Sequence, residues 1–288
     1  MKNFVNKCML ALMVLASFGL ASCGDDDDDK KTGQEEVNYA DAKLLKIETK
    51  FTAGENFFGP LVNEVNYEYN ADGYVSSSSD LSSENNLYDT FDYSKLKSEN
   101  KIVVTHKNES GSGLYDDESI CTYYLENGRV TKIVENENEV LLKYNGKNQL
   151  TDVVYREDEY AKLTWENDFI TKYEIISGSY KDEGFECEIT YSNIPVGQFG
   201  GDLVASAVKC YGSDGIGLNG MFGATPKYYP KKEVIRDYGE GLIATREFSF
   251  DSLTKLLTSV KVTETKTNGE AKTQTSELTL TWDVPSKK

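Results

Sequence analysis

Residues 144–153 read Tyr144-Asn145-Gly146-Lys147-Asn148-Gln149-Leu150-Thr151-Asp152-Val153, and this stretch decides the fold. An aromatic residue ends one strand-like run, Asn and Gly turn the chain, and a second strand-like run begins. Asn-Gly pairs tolerate the positive φ angles that tight hairpin turns need. About twenty residues earlier the pattern stands as Tyr124-Leu125-Glu126-Asn127-Gly128-Arg129-Val130-Thr131-Lys132-Ile133, and it returns as Trp165-Glu166-Asn167-Asp168-Phe169-Ile170-Thr171-Lys172-Tyr173. Weaker copies are Tyr69-Asn70-Ala71-Asp72-Gly73-Tyr74-Val75 and Phe250-Asp251-Ser252-Leu253-Thr254-Lys255-Leu256. A period of about twenty residues is one hairpin of chain, so the copies stack as an antiparallel meander. Strict alternation after the turn puts Val130, Lys132 and Val134 on one face and Thr131 and Ile133 on the other.

Composition agrees. The chain of 288 residues holds 19 tyrosines and only 5 prolines, and Thr, Val and Ile are frequent. That is strand chemistry. The last hairpin, Leu256 to Val262 with Leu278 to Trp282, turns at Asn268-Gly269. One segment departs from the pattern. Leu203, Val204, Ala207, Val208 and Tyr211 recur at helical spacing, with Asp202 placed as N-cap and Gly212 as stop, so one short helix is expected near 202–211. The Gly-rich run Gly215 to Gly223 and Lys227-Tyr228-Tyr229-Pro230 then form an irregular excursion over one end of the sheet. The expected fold is therefore all-β, an antiparallel meander of repeated hairpins forming a strongly curved or barrel-like soluble sheet.

The N-terminus gives an address. Lys2 and Lys7 precede an apolar run from Cys8 to Ala21, a signal-peptide layout too short to span a membrane. Leu20-Ala21-Ser22-Cys23 resembles the lipobox of bacterial lipoproteins, which implies cleavage before Cys23 and acylation, palmitate included, at that residue. Asp25 to Asp29 follow, and a run of like charge stays solvated and extended. Residues 1–22 thus read as signal peptide, 23–38 as lipidated cysteine with an acidic flexible tether, and 39–288 as a single all-β domain. Several acyl chains make a durable anchor, so the membrane is a partner through Cys23 alone.

The lipobox at Cys23, the aromatic-turn repeats, and the run from Leu218 through Pro230 before another repeat together resemble a family of Bacteroidota lipoproteins of unknown function, described as having a porin-like fold. The hairpins are also similar to the tyrosine-aspartate repeats of large bacterial surface and toxin proteins. The family resemblance implies a barrel-like sheet and no known activity or catalytic residue. Acidic residues just after the lipidated cysteine resemble the surface-export signal of such lipoproteins, which implies an outer-membrane protein facing the cell exterior. A pore is a different matter. Membrane barrels carry an outward apolar band about 25 Å tall, whereas these strands carry Lys, Glu and Asp on their polar face, and mean hydropathy is −0.52.

Charge and residue inventory exclude several classes. A net charge of −17 opposes nucleic acid, whose phosphates demand clustered Lys and Arg. Five cysteines become three in the mature chain, Cys121, Cys187 and Cys210, read as small buried hydrophobes able to form one disulfide at most. Their spacing fits no zinc pattern, and with one histidine no metal site or cofactor is implied. His106 reads as a strand histidine, and no nucleophile signature accompanies it. The pairs around Asp116-Asp117-Glu118 and Glu157-Asp158-Glu159 read as solvated loop charge rather than glycosidase or calcium carboxylates. Tyr228 and Tyr229 form a candidate ligand surface, since tyrosine offers a stacking face and a polar handle. Asp251-Ser252-Leu253 resembles the O-glycosylation acceptor motif of the same bacteria, marking Ser252. With no enzyme signature, the expected function is a monomeric, lipid-anchored binding or interaction module for glycan or protein. The alternatives are a carrier of an apolar ligand, lidded by the 202–223 excursion, and a hydrolase with a carboxylate site.

Overall fold

Strand-forming runs cut by Asn, Asp and Gly turns fold, in the computed structural model, into sixteen strands among the described residues. The structure describes residues 42–52, 61–82, 85–110, 117–156, 159–177, 185–195, 204–205, 207–208, 210–237, 242–251, 256–266 and 274–284. The expected signal peptide and tether, Cys23 and Ser252 lie outside them. In chain order the strands are β1 (Lys43–Thr52), β2 (Leu61–Tyr69), β3 (Val75–Leu81), β4 (Asn85–Asp92), β5 (Lys101–Ser110), β6 (Asp117–Glu126), β7 (Arg129–Glu135) and β8 (Asn138–Tyr144). They continue as β9 (Leu150–Arg156), β10 (Glu159–Glu166), β11 (Phe169–Ser177), β12 (Phe185–Pro195), β13 (Tyr228–Asp237), β14 (Leu242–Phe250), β15 (Leu257–Lys266) and β16 (Gln274–Asp283). Among the described residues, two short helices have both bounds set, α1 (Leu96–Glu99) and α2 (Ser213–Leu218). Each strand bonds antiparallel to its sequence neighbours, and β16 bonds back to β1, so the meander closes into a barrel.

Alternation decides which face looks inward. Along β6, Ser119, Cys121, Tyr123 and Leu125 are buried, and along β16, Ser276, Leu278 and Leu280 are buried between exposed Glu277 and Thr279. Outward positions hold ion pairs: Lys50 with Glu48 at 2.8 Å, Lys46 with Glu64, Lys132 with Glu139 at 3.1 Å, and Lys172 with both Glu174 and Glu186 at 2.8 Å. Exposed pairs of this kind add little stability, but they fix the polarity of the wall. The apolar face is inside and the charged face outside, the reverse of a membrane barrel.

The aromatic-turn repeat has a structural meaning that spacing alone did not convey. At the end of β2, β6, β8, β10, β12 and β14 the pairing shifts register, so that two residues of the next strand oppose one. The shift falls between Glu68 and Tyr69, Tyr124 and Leu125, Lys143 and Tyr144, Thr164 and Trp165, Thr190 and Tyr191, and Ser249 and Phe250. A bulge bends its strand and sharpens the local twist. The extra residue is Ser76, Thr131, Thr151, Thr171 or Thr258 in five of these, and three of the threonines donate to the carbonyl opposite: Thr151 to Lys143 at 3.2 Å, Thr171 to Thr164 at 3.5 Å and Thr258 to Ser249 at 3.2 Å. The β16–β1 seam repeats the device at Leu45, where Leu44 opposes Trp282 and Lys46 opposes Thr281. The closing seam is one more copy of the repeat. Strict alternation fails at these points for the same reason: the bulge at Thr131 puts Val130 and Ile133 together on the buried face, in place of Val130 with Lys132.

Hydrogen bonds tie the repeats into a belt around this rim. Tyr69 donates to Leu44 O at 2.9 Å, Tyr93 to Val75 O at 2.6 Å, and Tyr144 to Val130 O at 2.6 Å. Trp165 donates to Leu150 O at 2.7 Å, Tyr191 to Ile170 O at 2.9 Å, and Trp282 to Leu257 O at 2.7 Å. Each acceptor is the residue that faces the preceding repeat's aromatic or leucine across a bulge. Phe250, which lacks a donor, meets Tyr229 edge to face at 6.0 Å. Burial pushes the phenols of Tyr93, Tyr144 and Tyr191 upward, so they stay protonated donors at physiological pH.

Tyr144→Phe keeps the ring and deletes one belt bond, and urea titration is expected to show a loss of about 1–2 kcal/mol. Tyr144→Ala also leaves a cavity and is expected to lose about 3–5 kcal/mol.

Candidate functional site

The connection from β12 to β13 is the long excursion of the meander, and its described residues pack inside the barrel. Val204, Ala205, Ala207, Val208, Ile216 and Phe222 are all buried, packed against inward residues of the wall. Tyr123 on β6 donates to Tyr211 O at 2.6 Å, and Tyr155 on β9 donates to Ala207 O. At the belt, Val130 N donates to Met221 O at 2.9 Å, Ala224 N to Asn148 O at 2.7 Å, and Val75 N to the Asn219 side chain at 2.9 Å. Asn219 also donates to the Tyr93 hydroxyl at 2.7 Å. Belt amides left open by the bulges are thus satisfied by this internal plug, as buried backbone groups must be.

The plug explains its own composition. Gly212 has φ +76, and a Cβ there would lie 2.7 Å from Val104 Cγ1; a Cβ on Gly215 would lie 2.4 Å from Phe91 Cζ. Glycine is the residue that lets backbone approach a wall this closely. The helix with described bounds is therefore α2, beginning after Gly212, inside the run expected to be irregular. Within the expected 202–211 helix, the described residues Val204 and Ala205 are helical, with Ala207 N bonded to Val204 O and Val208 N to Ala205 O. Clearance against the wall outweighed the poor helix propensity of Gly215 and Gly217.

At the end of the lumen away from the belt, the wall turns polar. Ser78, Asp89, His106 and Ser119 stand in one row across β3 to β6. His106 Nδ1 lies 2.8 Å from Asp89 Oδ1, and the Tyr211 ring stacks on the imidazole with centroids 3.8 Å apart and planes 7° apart. Glu135 on β7 accepts from Tyr211 N at 3.3 Å, and Asn136 donates to Ser119 Oγ at 3.3 Å. His106 is buried, but Tyr211 is 39% exposed. The tyrosine is the floor of a cup whose sides are carboxylates. Burial pushes the Glu135 carboxyl up, and burial together with nearby Asp89 and Asp80 pushes Asp214 up to about 7. Such a cup offers a flat aromatic face and several hydrogen-bond acceptors, which suits hydroxyl-rich or cationic groups. Among the described residues no cluster of three His, Cys, Asp or Glu is arranged to hold a metal ion.

The residues singled out by sequence fall mostly elsewhere. Tyr229 is buried in the belt against Phe250, and Tyr228, partly exposed, stacks on Phe169 at 5.8 Å beside Lys227. Asp117 and Glu118 are exposed at the start of β6. His106 is the strand histidine expected, yet it is paired with Asp89 and stacked on Tyr211, which is bonded to Glu135, and Asp214 lies near Asp89; the sequence marked none of these partners as functional. The available signal was Asp214, a carboxylate set in an otherwise apolar, Gly-rich run.

No protein-family profile and no curated protein matches the chain. Among solved structures, a porin-like protein from Bacteroides uniformis superposes with a TM-score of 0.55 at 15% identity, over 83% of this chain and 98% of its own. The two share a fold. A porin-like protein from Bacteroides vulgatus aligns with a TM-score of 0.47 at 10% identity, over 84% of this chain and 99% of its own.

Asp214 gives a pH signature. Its carboxyl titrates higher folded than unfolded, so its stabilisation is complete below about pH 4 and is lost as pH rises through about 7. Asp214→Asn is expected to flatten this part of the stability curve, with a difference of roughly 1–3 kcal/mol between pH 5 and pH 8 in paired urea titrations.

Proposed function

We propose that the chain is a lipid-anchored protein of the cell envelope, held by Cys23 on the outer membrane and facing the exterior, whose barrel is a rigid stand for a ligand site at the polar cup. The ligand is a glycan or a protein surface rich in hydroxyl or cationic groups. The observation that supports this reading is the half-exposed Tyr211, set flat on His106 with the carboxylates of Glu135, Asp117 and Asp89 around it, at the polar end of the barrel. The carrier alternative needed the 202–223 segment as a lid over a cavity. That segment instead occupies the space an apolar ligand would take.

Binding is tested on a glycan array and a panel of envelope and host proteins, with the full chain displayed on cells. Tyr211→Ala is expected to weaken any ligand at least about tenfold, because aromatic anchors dominate such sites. Binding unchanged by Tyr211→Ala would move the site off the cup. Palmitate incorporation in growing cells, lost in Cys23→Ser, checks the anchor separately.

A further inference from the structure

We infer that Cys121 and Cys210 form a disulfide that fastens the internal plug to the barrel wall. Cys121 lies on β6 and faces inward; Cys210 lies on the plug, buried, with the Cys121 thiol next to its own. The two are held in register by their neighbours. Tyr123, two residues along the same face of β6, donates to the carbonyl of Tyr211, the residue after Cys210, at 2.6 Å. On the other side, Tyr211 N donates to Glu135, which pairs directly with Cys121 across β6 and β7. Ser213 N closes a turn onto Cys210 O at 3.2 Å. Backbone on both sides of the pair is thus fixed, and the neighbouring thiols reach a bond of about 2.05 Å by side-chain rotation. Cys187 is on β12, buried, and its thiol points to Glu188 O at 4.0 Å.

The chemistry balances with a disulfide donor of the oxidoreductase or glutathione class. One cysteine thiolate attacks the donor disulfide and expels a donor thiolate, giving a mixed disulfide. The second thiolate displaces the other donor sulfur, so two protons leave the protein and two electrons reduce the donor. The neighbouring Cys121 thiol, together with burial, pushes the Cys210 thiol well above its ordinary range, and a buried thiol is a poor nucleophile. Exchange therefore belongs to folding, before the plug is seated. Once seated, the bond is shielded from reductant. Its presence in cells rests on the envelope reading above, since a reducing cytosol would oppose it.

The test refolds the full chain carrying C8S and C23S with oxidised and reduced glutathione, alkylates, and digests with trypsin. The three remaining cysteines fall in separate tryptic peptides, 108–129, 182–209 and 210–227. The expected product is 108–129 joined to 210–227, with Cys187 alkylated, and the same joined pair in C187S. Alkylation of both Cys121 and Cys210, or either one joined to Cys187, overturns the inference. The oxidised chain is also expected to unfold in urea at least about tenfold more slowly than C121S/C210S, because the bond constrains a long loop; equal rates would overturn the fastening role. Protein alkylated in intact cells separates the two readings. A bond that forms on refolding yet is absent in cells counts against the envelope location, and no bond in either counts against the pairing.

Discussion

Sixteen strands closed in a ring enclose more space than wall side chains can fill, and the structure depends on how this chain fills it. An eight-stranded barrel is just filled by its own side chains, whereas sixteen strands in a membrane leave an aqueous channel. Here the inward face is apolar, so an open lumen would expose a large hydrophobic surface to water. The β12–β13 excursion removes that problem by entering the barrel. Val204, Ile216 and Phe222 supply apolar volume, while Gly212 and Gly215 let the backbone press against Val104 and Phe91.

The belt and the plug are two halves of one solution. Bulges at the aromatic rim bend the wall enough to close it, and each leaves backbone groups without a ladder partner. The carbonyls of Leu44, Val75, Val130, Leu150, Ile170 and Leu257 are taken by Tyr or Trp. The amides of Val75 and Val130 are taken by the plug, and that of Ile170 by the Tyr191 hydroxyl at 3.1 Å. Because the first and last strands meet in the same bulged geometry, with Trp282 opposite Leu44, closure needs no special seam. At the far end the wall becomes polar, and there the plug meets it through Tyr211, stacked on His106 and bonded to Glu135.

Much of this was legible in the sequence, for identifiable reasons. Hairpin turns depend on local chemistry, so Asn127-Gly128, with φ of 53° and 78°, and the meander order could be read directly. The aromatic that opens each repeat was visible, but its role was not, because its partner carbonyl lies one hairpin earlier. Bulges at Thr131 and Thr151 hide in sequences that look like plain alternation. The plug was readable only as an irregular stretch, since its helix-breaking glycines answer to Phe91 and Val104, more than a hundred residues away. The cup escaped notice for the same reason. Asp89, His106, Glu135, Tyr211 and Asp214 come from four separate segments and carry no motif.

Amide hydrogen exchange across the plug is the most direct measurement of the central claim that the lumen is occupied. If the segment is seated as described, the amides of Ala207, Val208, Ser213, Ile216 and Met221, all hydrogen-bonded, exchange as slowly as those of β6 and β9 and open only with the whole barrel. Exchange of these amides within seconds, while the strands stay protected, would mean a barrel with an open interior, and would contradict the account.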